Sequence, residues 1–149
     1  MTEAQAKRPD GPTREVLDWL LEEDQPSVRY LTLTQLRGKS EKDSEVKRAK
    51  ARIPSVGWVA QALSRREPGG WWVRDGGRME PRFLGTHWTL LALADLGATR
   101  EIPEVRESCE YWMKKSPLVG GGVGGLGRGK GSNGYWGFLI IPANLYPLS

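Results

Sequence analysis

The stretch from Gly85 to Gly97 (GTHWTLLALADLG) restricts this chain more than any other. Thr86 suits a helix cap, Gly97 suits a left-handed helix end, and only His87, Thr89 and Asp95 are polar between His87 and Leu96. Trp88, Leu90, Leu91, Leu93, Ala94 and Leu96 therefore cover nearly every side of the predicted helix. A helix that is apolar all round must be surrounded by other helices. An all-α arrangement of packed helices is the expectation.

The flanking segments supply such helices. Thr13 can cap a helix over residues 13 to 22, in which Val16, Leu17, Leu20 and Leu21 recur at three-and-four spacing. The chain turns at Asp24 to Pro26, Pro26 suits a first helical position, and Val28, Leu31, Leu33 and Leu36 lead to a closing Gly38. These two short helices form an antiparallel hairpin in the predicted fold. Lys39 to Arg52 holds six basic and three acidic residues around a sparse stripe of Val46, Ala49 and Ile53. Mixed signs favour a solvated helical face over a phosphate-binding patch. Trp58, Ala62 and Leu63 mark a further short helix. Glu67 to Gly85 is broken by Pro68-Gly69-Gly70, by Asp75-Gly76-Gly77 and by Pro81, so it reads as a long loop. That loop carries Trp71, Trp72, Arg74, Arg78 and Arg82, with Arg65 and Arg66 at its edge. Ile102 to Glu104 then opens a last helix, with Val105, Cys109, Trp112 and Met113 on one stripe and Lys114 and Lys115 near its end.

Composition changes at Pro117. Residues 117–149 hold ten of the 19 glycines, no Asp or Glu, and only Arg128 and Lys130 as charges. The expected organisation is a flexible N-terminus over 1–12, a helical-repeat domain over 13–116, and a Gly-rich irregular segment over 117–149. Within that segment Gly124 to Lys130 matches the start of a phosphate loop. Gly131 replaces the Ser or Thr that magnesium needs and no strand precedes it, which sets a nucleotide site aside. The net charge of +4 over 149 residues does not imply a nucleic-acid partner. One Cys and one His cannot supply the Cys/His ligands of a zinc site, so no metal and no cofactor are expected. The longest apolar stretch, Phe138 to Leu148, is short and broken by Pro142 and Pro147. The expectation is a cytoplasmic protein without a membrane span.

Three stretches carry a family resemblance: the run from Trp19 to Leu33 (WLLEEDQPSVRYLTL), the loop from Glu67 to Trp72 (EPGGWW), and Gly85 to Gly97. Over roughly residues 16 to 125 the chain resembles bacterial proteins with the prenyltransferase and squalene oxidase repeat, related to squalene–hopene cyclases and protein prenyltransferase β subunits. The resemblance implies an α/α toroid of stacked helical hairpins tied by Gly/Trp loops. At 149 residues the toroid would be incomplete, and its open ends would need a cap or a second copy. The Gln expected at the start of the Gly/Trp signature is missing before Glu67, and Tyr135 to Ser149 departs from the family pattern.

The family's acidic cyclase cluster is also missing, since Glu22-Glu23-Asp24, Asp75 and Asp95 do not match it. Cys109 lies on an apolar stripe and reads as a buried inert thiol. The candidate ligand-binding residues are Trp71, Trp72, His87, Trp88 and Asp95. Against that stands a structural role: Trp71 and Trp72 as braces whose indole N–H finds a carbonyl, and His87 as a residue bonded to a neighbouring loop. His87 in the first turn of its helix favours the neutral imidazole, with Asp95 eight residues on expected toward the same side. The preferred expectation is a non-catalytic or catalytically incomplete helical-repeat protein that binds an apolar, isoprenoid-like ligand or a protein partner, including itself. Two alternatives stand beside it. One is a terpenoid cyclase or prenyltransferase-like enzyme using the aromatic pocket for cation–π stabilisation. The other is a scaffold of the HEAT type, since Pro26 to Leu31 (PSVRYL) resembles the start of such repeats.

Overall fold

The computed structural model describes residues 11–73 and 84–115, together with the backbone of Leu118–Val119 and Gly122–Val123. The fold is all-α. Among the described residues the helices are α1 (Arg14–Leu20), α2 (Pro26–Leu31), α3 (Ser44–Arg52), α4 (Gly57–Ser64), α5 (Thr86–Asp95) and α6 (Pro103–Lys115). Leu118–Val119 and Gly122–Val123 pair as a two-residue antiparallel ladder. The expected Gly124 to Lys130 loop, the loop arginines Arg74, Arg78 and Arg82, and the divergent end from Tyr135 lie outside the described residues, as do most of the expected N-terminal segment and Gly-rich tail.

Local chemistry sets most helix ends. The Thr13 hydroxyl accepts from the Val16 N–H at 3.4 Å, and Asp43 accepts from the Glu45 N–H at 2.8 Å to start α3. That cap places the start of α3 at Ser44 and leaves Lys39 to Lys42 outside the helix. Pro26 opens α2 at its first position. The helix then widens into a π turn at Thr32–Leu36, where the Thr34 hydroxyl donates to the Tyr30 carbonyl at 2.9 Å. Gly97 has φ of 79°, and the Ala98 N–H returns to the Leu93 carbonyl at 2.9 Å, closing α5. A Cβ at Gly97 would meet the Tyr30 ring at 3.1 Å, so both conformation and space call for glycine there.

Two clusters of buried side chains form the interior. Leu33, Val46 and Ala49 lie between α2 and α3, with Leu21 against them. Ile53, Val59, Trp72, Leu90, Leu93, Val105, Cys109 and Trp112, joined by Ala98, form the larger cluster around α4, α5 and α6. Tyr30 packs against both. α2 packs on α3 and α4, while α5 packs on α6 and α4. α1 buries no residue of its own, and the α2–α3 pair takes the place of the hairpin expected between α1 and α2.

The helix expected from Trp58, Ala62 and Leu63 is α4, and two further expectations are corrected. Within α4 Val59 is the fully buried residue, whereas Trp58 is half exposed at 51 %. Neighbours on a helix are about 100° apart, and Val59, Ala62 and Leu63 share the inward face. Gly85, not Thr86, occupies the cap position of α5, because the Thr86 hydroxyl is used elsewhere, accepting from the Trp72 N–H at 3.1 Å. Finally, α5 is packed on one side rather than all round. Thr86, His87, Leu90 and Leu93 are buried, Trp88 and Leu91 are half-buried, and Ala92 and Asp95 are exposed.

Candidate functional site

The Gly/Trp loop ends against the junction of α4, α5 and α6. Gly70, at φ of 92°, sits beside Tyr111, and the Glu67 N–H donates to the Trp71 carbonyl at 2.8 Å, so the turn is short and tight. It delivers two indoles to different places. Trp72 is buried, and its Nε1–H donates to the Ala62 carbonyl at the end of α4 at 2.8 Å. With its own N–H on Thr86, Trp72 ties α4 to α5. This is the brace expected of such a tryptophan. Trp71 is half-buried and packs on Tyr111 of α6, ring centroids 5.4 Å apart. Arg66 adds a third tie that sequence reasoning missed: its Nε donates to the Ser108 hydroxyl and its guanidinium also meets Glu107, each at 2.7 Å.

His87 points inward at 1 % exposure, with its ring 5.3 Å from Trp112 and 5.2 Å edge-on from Trp88. Burial holds its imidazole below the ordinary histidine pKa, so it is neutral at pH 7. Its Nε2 and the Nε1 of Trp112 are both buried without a hydrogen-bond partner. Asp95, by contrast, is exposed. Eight residues at about 100° each return a side chain roughly 80° away and about 12 Å along the helix. His87 and Asp95 therefore do not face one site. Of the candidates, His87 and Trp88 meet ring to ring, and Trp72 lies in the buried cluster whose Trp112 packs on His87. Cys109 is buried in that cluster, and burial first, then Glu110, pushes its thiol up to about 11, which keeps it protonated and unreactive.

An open cleft lies elsewhere among the described residues. A cleft of about 420 Å³ runs between α3 and the α5–α6 turn. Ile53, Pro54 and Ile102 give it an apolar floor, with Gly97 exposing bare backbone between them. Lys47 and Lys50 stand on the α3 side and Glu101 and Glu104 on the α6 side. None of the five candidate residues lines it. Sequence spacing does place Lys47, Lys50 and Ala51 on one face of α3, but nothing local to the sequence says that α6 begins opposite them.

Ion pairs absorb much of the charge on the Lys39 to Arg52 segment. Lys39 meets Asp43 and Glu45, Lys50 meets Glu41 at 3.6 Å, and Arg52 meets Glu23 at 3.2 Å. A solvated, self-paired face describes it better than a phosphate patch. Among the described residues no three His, Cys, Asp or Glu side chains gather as metal ligands would, and no helix is long and apolar enough to cross a membrane. The chain matches no family model, no curated protein and no solved structure.

Proposed function

We propose that this protein is a non-catalytic helical-repeat binding protein, an incomplete toroid whose partner is a protein segment or an apolar ligand. The observation that carries this is the separation of His87 and Cys109 from the cleft described above. His87 and Cys109, the side chains best suited to proton transfer or nucleophilic attack near neutrality, are sealed in the aromatic interior. The cleft between α3 and the α5–α6 turn is lined instead by aliphatic carbons, Lys and Glu, with Thr99 its lone hydroxyl side chain. Apolar surface with a few charged groups at its edge is the usual make-up of a binding site. The Gly/Trp loop acting as a brace, with Trp72 bonded to Ala62, supports a toroid-like use of this loop.

The test is incubation of the purified protein with squalene, farnesyl diphosphate and geranylgeranyl diphosphate. The expected result is no cyclised or prenyl-transferred product from any of them. Turnover of any one overturns the proposal in favour of a cyclase or prenyltransferase-like enzyme. Saturable binding without turnover assigns an isoprenoid as the apolar ligand. The HEAT-like alternative draws on one observation, that Pro26 opens α2 and α2 packs directly on α3 and α4, as in stacked helix pairs.

A further inference from the structure

We propose that the cleft between α3 and the α5–α6 turn is a peptide-docking site, taking a segment in which an apolar residue lies between an acidic and a basic one. The proposal rests on the protein being a binding module and names where and what it binds. Ile53 is 1 % exposed and forms a fixed floor, backed by the interior cluster that includes Val59 and Leu93. Gly97 carries no side chain, and its left-handed backbone with Tyr30 at 3.1 Å from any Cβ keeps it glycine, so the cleft is lined by bare backbone at that point. A ligand's apolar group resting there would replace water over carbon surface, the contribution that anchors most small interfaces.

The charges choose the ligand. Lys47 and Lys50, the latter paired with Glu41, stand on α3, while Glu101 in the α5–α6 turn and Glu104 at the start of α6 line the same cleft together with Ile53, Pro54 and Ile102. Lys47 and Glu104 enter none of the described ion pairs, so each is free to meet an incoming group. A matching ligand has its carboxylate and its cation on opposite sides of an apolar body. A free amino acid carries both on one carbon and cannot reach both rims while filling the floor. A single-sign ligand, such as a fatty acid or a polyamine, meets one rim and is repelled by the other. A second copy presenting the same concave face would touch rim to rim and leave both floors empty. A peptide running across the cleft, acidic residue toward α3 and basic residue toward α6, satisfies all three walls.

The experiment uses the full chain, isotope-labelled on isoleucine methyls, titrated with capped pentapeptides. One has the order Asp-Ala-Leu-Ala-Lys, one replaces both charged residues by Ser, and free leucine serves as a third probe. The Ile53 and Ile102 methyl signals are expected to shift saturably with the charged peptide, and about tenfold more weakly with the Ser version, a difference of about 1.4 kcal/mol. A Lys47→Glu and Glu104→Lys double variant, changed only at exposed side chains, is expected to lose about tenfold for the charged peptide while its methyl spectrum stays folded. Equal binding of the Ser peptide, preference for free leucine, no shift with any peptide, or an unchanged affinity in the double variant each overturns the proposal. The turnover assay is read separately. Loss of the peptide signal in a protein without turnover counts against this site alone, and turnover counts against the binding-module reading.

Discussion

The α4–α5–α6 interior and the α2–α3 interior hold together by different means. The first is large and aromatic, built on Trp72 and Trp112 with Leu90, Leu93 and Val105, and it encloses His87 and Cys109. The second is small and aliphatic, three buried side chains, with exposed ion pairs laced over its surface. Burial of large side chains is worth several times what exposed charge pairs contribute. Stability is therefore concentrated in the α4–α6 half, and the α2–α3 half is coupled to it through Tyr30, which packs against both clusters, and through Ile53 at the end of α3.

The largest expected effect follows from that asymmetry. Trp112→Ala should destabilise the protein by about 3–5 kcal/mol, and Leu33→Ala in the smaller cluster by about 2–3 kcal/mol, both read by urea denaturation. Equal losses would mean that the two interiors are energetically alike.

Trp72 and Trp112 then differ in kind. The Trp72 indole N–H is bonded to Ala62, whereas that of Trp112 has no partner. Trp72→Phe should cost about 1–2 kcal/mol more than Trp112→Phe, because it leaves a carbonyl unsatisfied and the other substitution does not. A reversed order would show that the Trp112 N–H has a partner in solution.

Acid should act on the larger interior first. His87 titrates lower in the folded protein than in the unfolded chain, so the unfolded state binds more protons once the pH drops below about 6.5. Stability is expected to be full above that value and to fall as the pH descends toward the folded pKa. His87→Gln should flatten this dependence in melting experiments between pH 7.5 and 5. At the alkaline end the sign reverses for the groups whose pKa is raised. Cys109 at about 11 and Tyr30 at about 12 keep their protons in the folded state after the unfolded chain has lost them, so stability falls from about pH 9 upward. For Tyr30 the causes are burial first and then the hydrogen bond its hydroxyl donates to Glu41 at 2.6 Å.

The smallest effect belongs to the surface of the α2–α3 half. Glu23→Gln, which breaks the pair with Arg52, should cost less than about 0.5 kcal/mol and vanish in high salt. A larger or salt-independent cost would assign that surface a role in holding the smaller cluster.

Much of this was legible in the sequence where a single residue fixes a local event. Thr13, Pro26, Gly38 and Gly97 announce their helix ends because capping and left-handed closure are decided within a few residues. The brace role of Trp72 was legible for a similar reason, since an indole beside a turn has few places to put its N–H. The π turn at Thr32–Leu36 gave no such sign. Nor could spacing alone separate Val59 from Trp58, because both belong to plausible helical stripes and the choice is made by what packs opposite. The candidate residues His87 and Asp95 were joined by a count of eight, which a helix does not return to one face. The cleft was hidden altogether: its walls come from residues about fifty apart in the chain, and their meeting depends on how α3 and the α5–α6 turn pack.

The hydrogen bond between the Trp72 amide and the Thr86 hydroxyl has an architectural consequence. It joins residues fourteen positions apart in the chain, while the indole of the same tryptophan holds the Ala62 carbonyl. One side chain and its own amide therefore clasp two helices at once, so the end of α4 and the start of α5 can shift relative to each other only by breaking one of these two bonds.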